Sequence, residues 1–394
     1  MKYKTKILNQ IVIGVMISLS ISFLTAQSLR LSLFNIKELS TAKITDVDED
    51  GIGQNQQLIA AAKIIQNISP DVLVINEIDH DYSHSDNLQL NAKRFLSSYL
   101  KSGDTPIDYE YIFTAPCNTG LLTGFDLNND GHNATKKDQG TRKHGDDCYG
   151  WGQYPGQYSM AVLSKFPFQG KGVKTFQNFL WKDLPGNHIP SKFYSKEELQ
   201  LFRLSSKSHW DLPLSVNGKQ LHLLLSHPTP PVFDGLEDRN GRRNHDEIKF
   251  WKLYISGSKE IYDDTNSIIV FDQETSFVIM GDLNAAIQGN KDYDDTNAID
   301  QLLNHPRITD SGPFMISNGA KYGIKPGTPN FYEQATTEFR SGMKRRIDYI
   351  LPSNDINIKD GGVFWPASTT NPQQNALAMK ASDHRMIWLD IDLE

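Results

Sequence analysis

Val278-Ile279-Met280-Gly281-Asp282-Leu283-Asn284 decides the reading of this chain. It is a short apolar run of strand length that ends directly on an acid and an amide. The same arrangement recurs along the sequence. Leu31-Ser32-Leu33-Phe34 ends on Asn35, Val74-Ile75-Asn76 on Glu77, and Leu223-Leu224-Leu225-Ser226 on His227. Asp348 lies in Arg345-Arg346-Ile347-Asp348-Tyr349-Ile350-Leu351, and Asp383 and His384 immediately precede the last apolar run. Singly, an Asp or Asn after a strand makes a turn or caps a helix far more often than it catalyses anything. Together, polar groups projected from strand ends onto one rim are how an α/β scaffold builds a rigid site. Carboxylates beside an amide oxygen suit a hard divalent cation.

Working outward, strands are expected over 29–34, 71–75, 160–163, 221–225, 277–280, 347–351 and 386–391. Helical patterns cover 54–68, 87–100, 244–256 and 297–303, and Leu58, Ala61, Ala62 and Ile65 share one helical face. Asn217-Gly218 between two alternating runs signals a hairpin. Alternating strands and helices with hairpins among them predict mixed sheets with helices outside. Two stretches read as long surface insertions, 117–157 and 287–340, the second containing Lys325-Pro326-Gly327-Thr328-Pro329.

The amino terminus has the order of parts of a secretory signal: Lys2, Lys4 and Lys6, an apolar run over 11–23, then Thr25-Ala26. The apolar run is short for a membrane span of roughly 20 residues. Cleavage after Ala26 leaves residues 27–394 as one domain with insertions, exported to periplasm, cell surface or medium. Losing the three lysines moves the net charge from −7 to −10. Such a chain is not steered toward polyanions by its overall field. Cys117 and Cys148 would meet an oxidising compartment, where a disulfide between them would close the first insertion. Two free thiols are the alternative.

In its order of motifs, from the Glu77 strand through Gly281-Asp282-Leu283-Asn284 to Ser382-Asp383-His384, the sequence resembles the endonuclease/exonuclease/phosphatase family over nearly all of 29–390. The resemblance implies a four-layer α/β sandwich, with two mixed sheets face to face and helices on both outer faces. It also implies hydrolysis of phosphate esters with Mg²⁺ or Mn²⁺. By the same resemblance Glu77 binds the metal, with Asn35 and Asp383 close to it. Asp282 and Asn284 orient the attacking water and hold a phosphate oxygen. His384 is the base or stabilises the pentacovalent centre, with Asp348 orienting its ring, and His227 assists the leaving group.

Two acidic loops add to that pattern. Asp46-x-Asp48-x-Asp50-Gly51 and Asp126-x-Asn128-x-Asp130-Gly131 repeat the first half of a Ca²⁺ loop, but position twelve is Gln57 in one and Lys137 in the other. Acidic turns are the plainer reading. Arg239, Arg242 and Arg243, downstream of His227, could clamp a phosphate or simply flank a helix start. The expected substrate is a small or lipid-borne phosphate ester. Extracellular nuclease activity on DNA or RNA, and a non-catalytic binding module, are the competing readings. Nothing in the sequence implies a stable protein partner, and the oligomeric state stays open.

Overall fold

In the computed structural model the described residues are 28–84, 86–289, 293–322, 330–339 and 342–393. Residues 1–26, expected from the sequence to be an export signal, and Lys325-Pro326-Gly327-Thr328-Pro329 lie outside them. In chain order the strands are β1 (Ser28–Leu39), β2 (Val72–Ile78), β3 (Tyr111–Phe113), β4 (Ser159–Ser164), β5 (Lys174–Thr175), β6 (His209–Val216), β7 (Lys219–Ser226), β8 (Phe277–Asp282), β9 (Thr337–Glu338), β10 (Lys344–Arg345), β11 (Asp348–Pro352), β12 (Asn357–Val363) and β13 (Ile387–Asp392). One sheet has the order β12-β13-β1-β2-β4-β3 and the other β11-β8-β7-β6-β5, while β9 and β10 pair by themselves. The β1–β2 and β7–β8 ladders are parallel. Both sheets are mixed, as expected.

Side-chain alternation along each strand sorts the core into layers. Leu29, Leu31 and Leu33 of β1 and Val72 and Val74 of β2 meet Leu221, Leu223 and Leu225 of β7 and Val278 and Met280 of β8 between the sheets. The intervening residues point outward. Phe34, Leu73 and Ile75 pack under the helix Gln56–Ile68, and Leu224, Phe277 and Ile279 pack under the helix Arg239–Ile255. The result is the four-layer sandwich.

The seven expected strands are all present, and Asn217-Gly218 turns β6 into β7 with both residues at positive φ. Strands without an apolar run were not foreseen: β12 is Asn-Ile-Lys-Asp-Gly-Gly-Val on a sheet edge. The helix expected from 244 begins at Arg239, so the arginines form its first turn rather than a loop before it. The helix Pro372–Ala381 was also missed, because its mixed polar sequence shows no apolar stripe.

The proposed disulfide is a correction: Cys117 and Cys148 are both free and buried. Each thiol has its own partner, Cys117 Sγ lying 3.1 Å from Thr119 Oγ1 and Cys148 Sγ donating to the His144 carbonyl at 3.0 Å. Hydrogen bonds do the work assigned to the bridge. Asn118 Nδ2 donates to the carbonyls of Gln177 and Ser205, both at 2.8 Å, and Asp147 accepts from the amides of Leu127 and Ala134.

Candidate active site

The register of the sheets brings the strand ends to one rim. Asn35 of β1 stands beside Asn76 of β2, and Asp348 of β11 opposite Asp282 of β8. Register shifts in the β1–β2 and β2–β4 ladders surround Glu77, whose φ of +66° marks a bulge that re-aims its side chain. Glu77 and Asp282 accept from the same donor, Asn35 Nδ2, at 3.2 and 2.9 Å. Glu77 also accepts from the Glu38 amide at 2.8 Å.

His384 Nδ1 lies 2.9 Å from Asp348 Oδ2, and its Nε2 lies 3.7 Å from Asp282 Oδ2. His227 Nε2 approaches the same Asp282 oxygen at 3.5 Å. Asp282 is therefore flanked by two imidazoles in a buried setting. Asn284, at φ +50°, donates its backbone N–H to Asp282 Oδ1 at 3.0 Å and its amide to the Pro228 carbonyl at 3.1 Å. Asp383 is more open and pairs with Lys37 Nζ at 2.9 Å.

Charge separation follows from this packing. Burial alone would strip the proton from His384, but the charges of Asp348 and Asp282 outweigh it and lift its pKa to about 10. Burial would raise Asp282, yet His384 and His227 hold it well below the usual carboxylate range. Asp348 moves the other way, raised chiefly by burial. Burial opposes ionisation of Asp383 too, and His384 and Lys37 overcome it to lower the pKa.

Several supporting residues were not read from the sequence. Asn76 Oδ1 accepts the Asp282 backbone N–H at 2.9 Å. Ser382 Oγ donates to the Asn35 carbonyl at 2.7 Å and accepts from the His384 amide at 3.1 Å. Thr336 Oγ1 donates to Asp348 Oδ2 at 2.5 Å. The buried carboxylate of Glu247 accepts from the amides of Ser206 and Thr229, at 2.7 and 2.6 Å, and so fixes the turn after His227. Lys207 is buried beneath that turn, its pKa lowered by burial against the pull of Glu247, Asp282 and Glu77. Asn76, one residue before Glu77, and Ser382, in the motif Ser382-Asp383-His384, had a signal in the sequence. The others depend on contacts between distant segments.

The profile of the Endonuclease/Exonuclease/phosphatase family matches residues 34–384, from Phe34 within β1 to His384. The chain belongs to the endonuclease/exonuclease/phosphatase family. No curated protein matches it. Among solved structures, the endonuclease/exonuclease/phosphatase from Beutenbergia cavernae DSM 12333 is 15% identical, covering 93% of this chain and 72% of that one, at a TM-score of 0.49. A humanized D. rerio TDP2 is 12% identical over 93% and 99% of the two chains, at 0.47. The mannosyl-6-phosphatase Bt3783 of Bacteroides thetaiotaomicron VPI-5482 is 12% identical over 93% and 100%, at 0.45.

Members of this family depend on a divalent metal, and the residues at the rim fit one. Asn35 is fully buried and its Oδ1 has no hydrogen-bond partner, an orphaned acceptor beside the carboxylates of Glu77 and Asp282. An amide oxygen with carboxylates is the donor set of Mg²⁺ or Mn²⁺. Asp282, Asp348 and His384 also place ligand-type atoms within 4.8 Å of one another. Within that trio His384 and Asp348 are already hydrogen-bonded to each other, at 2.9 Å.

The arginines require a correction. Arg243 is buried and spends its guanidinium on the carbonyls of Leu204, Tyr149 and Arg203, at 2.8, 2.6 and 2.9 Å. It braces the loops and is not free to grip phosphate. Arg239 and Arg242 are half-buried and turn to the carbonyls of Asp146 and Glu237.

The acidic loops are hydrogen-bonded turns. Asp48 Oδ1 accepts from the amides of Asp50 and Ile52, and Asp126 accepts from those of Asp130 and Gly131. Asn128 Oδ1 accepts from the Asp130 amide, and Asp130 Oδ1 from that of His132. Asp46 takes part through its backbone carbonyl, which accepts from Tyr99 Oη at 2.9 Å. Gln57, at the twelfth position of the first loop, donates instead to the carbonyls of Lys37 and Ala381.

Proposed function

We propose that this protein is a divalent-metal-dependent hydrolase of phosphate esters, acting by in-line attack of water on small or lipid-borne substrates. The observation that carries this reading is the buried array in which Asp282, flanked by His384 and His227, shares the Asn35 donor with Glu77. Asn35, Glu77 and Asp383 would hold a Mg²⁺ or Mn²⁺ ion, which when bound neutralises charge on the phosphate oxygens.

The rest is chemistry of the chain itself. Asp282, kept ionised, orients the water and takes its proton as the oxygen attacks phosphorus. His384, carrying a proton secured by Asp348, faces the charge that develops on the phosphoryl oxygens. Asn284 holds a phosphoryl oxygen. His227, whose Nε2 approaches the same Asp282 oxygen, is assigned to the leaving oxygen as the ester bond breaks.

The acidic net charge of −7, or −10 after loss of residues 1–26, supports a compact ester over a polynucleotide. The amino-terminal signal supports export, so that the substrate would be met outside the cytoplasm.

The test is a panel of p-nitrophenyl phosphate, bis-p-nitrophenyl phosphate, sphingomyelin, RNA and plasmid DNA, with Mg²⁺, Mn²⁺ or Ca²⁺. Metal-dependent turnover of the small esters or the lipid, lost in Asp282→Ala and His384→Ala, is expected. Cleavage of nucleic acid alone would replace the substrate assignment, and silence on all five would remove the enzymatic one.

A further inference from the structure

A second cluster of metal-type ligands lies apart from the strand-end array. His188 follows the short turn after residue 184, His245 sits in the helix Arg239–Ile255, and Asp294 belongs to the segment after β8. One ligand atom of each lies within 4.8 Å of the other two.

Two details point to a cation site. His188 Nδ1 is 2.8 Å from Asp246 Oδ1, so in the neutral ring this nitrogen donates and Nε2 is left with its lone pair. That Nε2 faces Asp294 Oδ1 at 3.3 Å, an acceptor opposite an acceptor. The spacing matches the edge of a tetrahedron whose bonds are roughly 2.0–2.1 Å. A proton on His188 would satisfy this contact but would leave His245 unexplained. His245 is 2% exposed, and neither of its ring nitrogens has a hydrogen-bond partner. Its Nδ1 is 3.6 Å from Asp246 Oδ1, beyond hydrogen-bond range.

Asp246 completes the pattern. It is fully buried and anchored by Trp181 Nε1 and the His188 amide, both at 2.6 Å, as a carboxylate that orients metal-binding histidines is. The nearby cations do not block the inner face. Lys249 takes the other Asp294 oxygen at 3.0 Å and the Gly186 carbonyl at 2.7 Å, and Arg242 lies over the Tyr293 ring.

We propose that His188, His245 and Asp294 form a second metal site, for a zinc-class transition dication, with water as fourth ligand. Two imidazoles select such an ion over Mg²⁺. Its occupant would join the segment after β8 to the long helix. In that helix Asn244, next to His245, donates to the carbonyls of Thr229 and Leu283, in the segments that follow His227 and precede Asn284.

The test uses Co²⁺ as the probe on chelator-treated full chain. Wild type is expected to bind one equivalent more than Asp294→Asn or His188→Gln, with the visible bands of four-coordinate Co²⁺ present in wild type and absent from these two variants. Asp294 is exposed, so its variant should fold and keep Mg²⁺-dependent activity. Asp282→Asn, disabled at the phosphoesterase centre, should retain the same bands. Equal stoichiometry and spectra in wild type and Asp294→Asn would overturn the proposal, as would loss of the bands in Asp282→Asn.

Discussion

Asp348 and Asp282 stand opposite each other on adjacent antiparallel strands, and His384 spans them, with Nδ1 2.9 Å from Asp348 and Nε2 3.7 Å from Asp282. A rigid ladder thus fixes the two carboxylates, and the ring reads their separation. The carboxylate behind the ring selects which of its nitrogens carries the proton.

Asp348→Asn preserves shape but removes that selection. Turnover is expected to fall by on the order of 10²–10⁴-fold, with KM little changed. Steady-state kinetics with the best ester of the panel checks this. A fall confined to KM would assign Asp348 to binding instead.

Glu77→Gln keeps the Asn35 contact but withdraws the charge that a dication needs. The variant is expected to require at least about tenfold more Mg²⁺ for half-maximal activity, the scale of losing one ligand contact. Chelation should silence the wild type, and added Mg²⁺ should restore it. A metal titration identical to wild type would remove Glu77 from the ion's shell.

The thiols give a prediction free of catalysis. Burial pushes Cys148 up to about 12 and raises Cys117 as well, so neither offers a thiolate at neutral pH. Native protein should resist alkylation, yielding two reactive thiols only after denaturation without reductant, and reductant should leave Tm unchanged. A reductant-sensitive Tm would show that the two cysteines are bridged.

His209 governs part of the acid limb of stability. Its ring is buried, with Nε2 2.9 Å from the Glu247 carbonyl, and burial lowers its pKa from an ordinary 6.5 to about 4. Between these values the unfolded chain binds a proton that the folded protein refuses. The contribution is complete above about pH 6.5 and is lost as pH falls toward 4, on the order of 3 kcal/mol in full. Denaturant melts at pH 7.5 and 5 should show a smaller loss in His209→Gln than in wild type. Parallel losses would exclude His209 as the source.

What the sequence determined by itself was the set of strands and the chemistry at their ends. Apolar runs such as Val278-Ile279-Met280 must be buried, and an acid or amide that follows one must emerge at a rim. The order of Glu77, Asp282 and His384 carried the family resemblance for that reason. Only the tertiary structure decided how those groups are partnered. The Asn35 donor shared by Glu77 and Asp282, the Asn76 side-chain amide oxygen behind Asp282 and the Glu247 brace under His227 join segments that local periodicity does not relate. The same limit explains the errors. Arg243 looks like an anion clamp until three carbonyls from other loops surround it, and Cys117 and Cys148 look like a bridge until each thiol is found buried with a partner of its own. Burial and hydrogen-bond satisfaction belong to the packed chain, so spacing alone could not supply them.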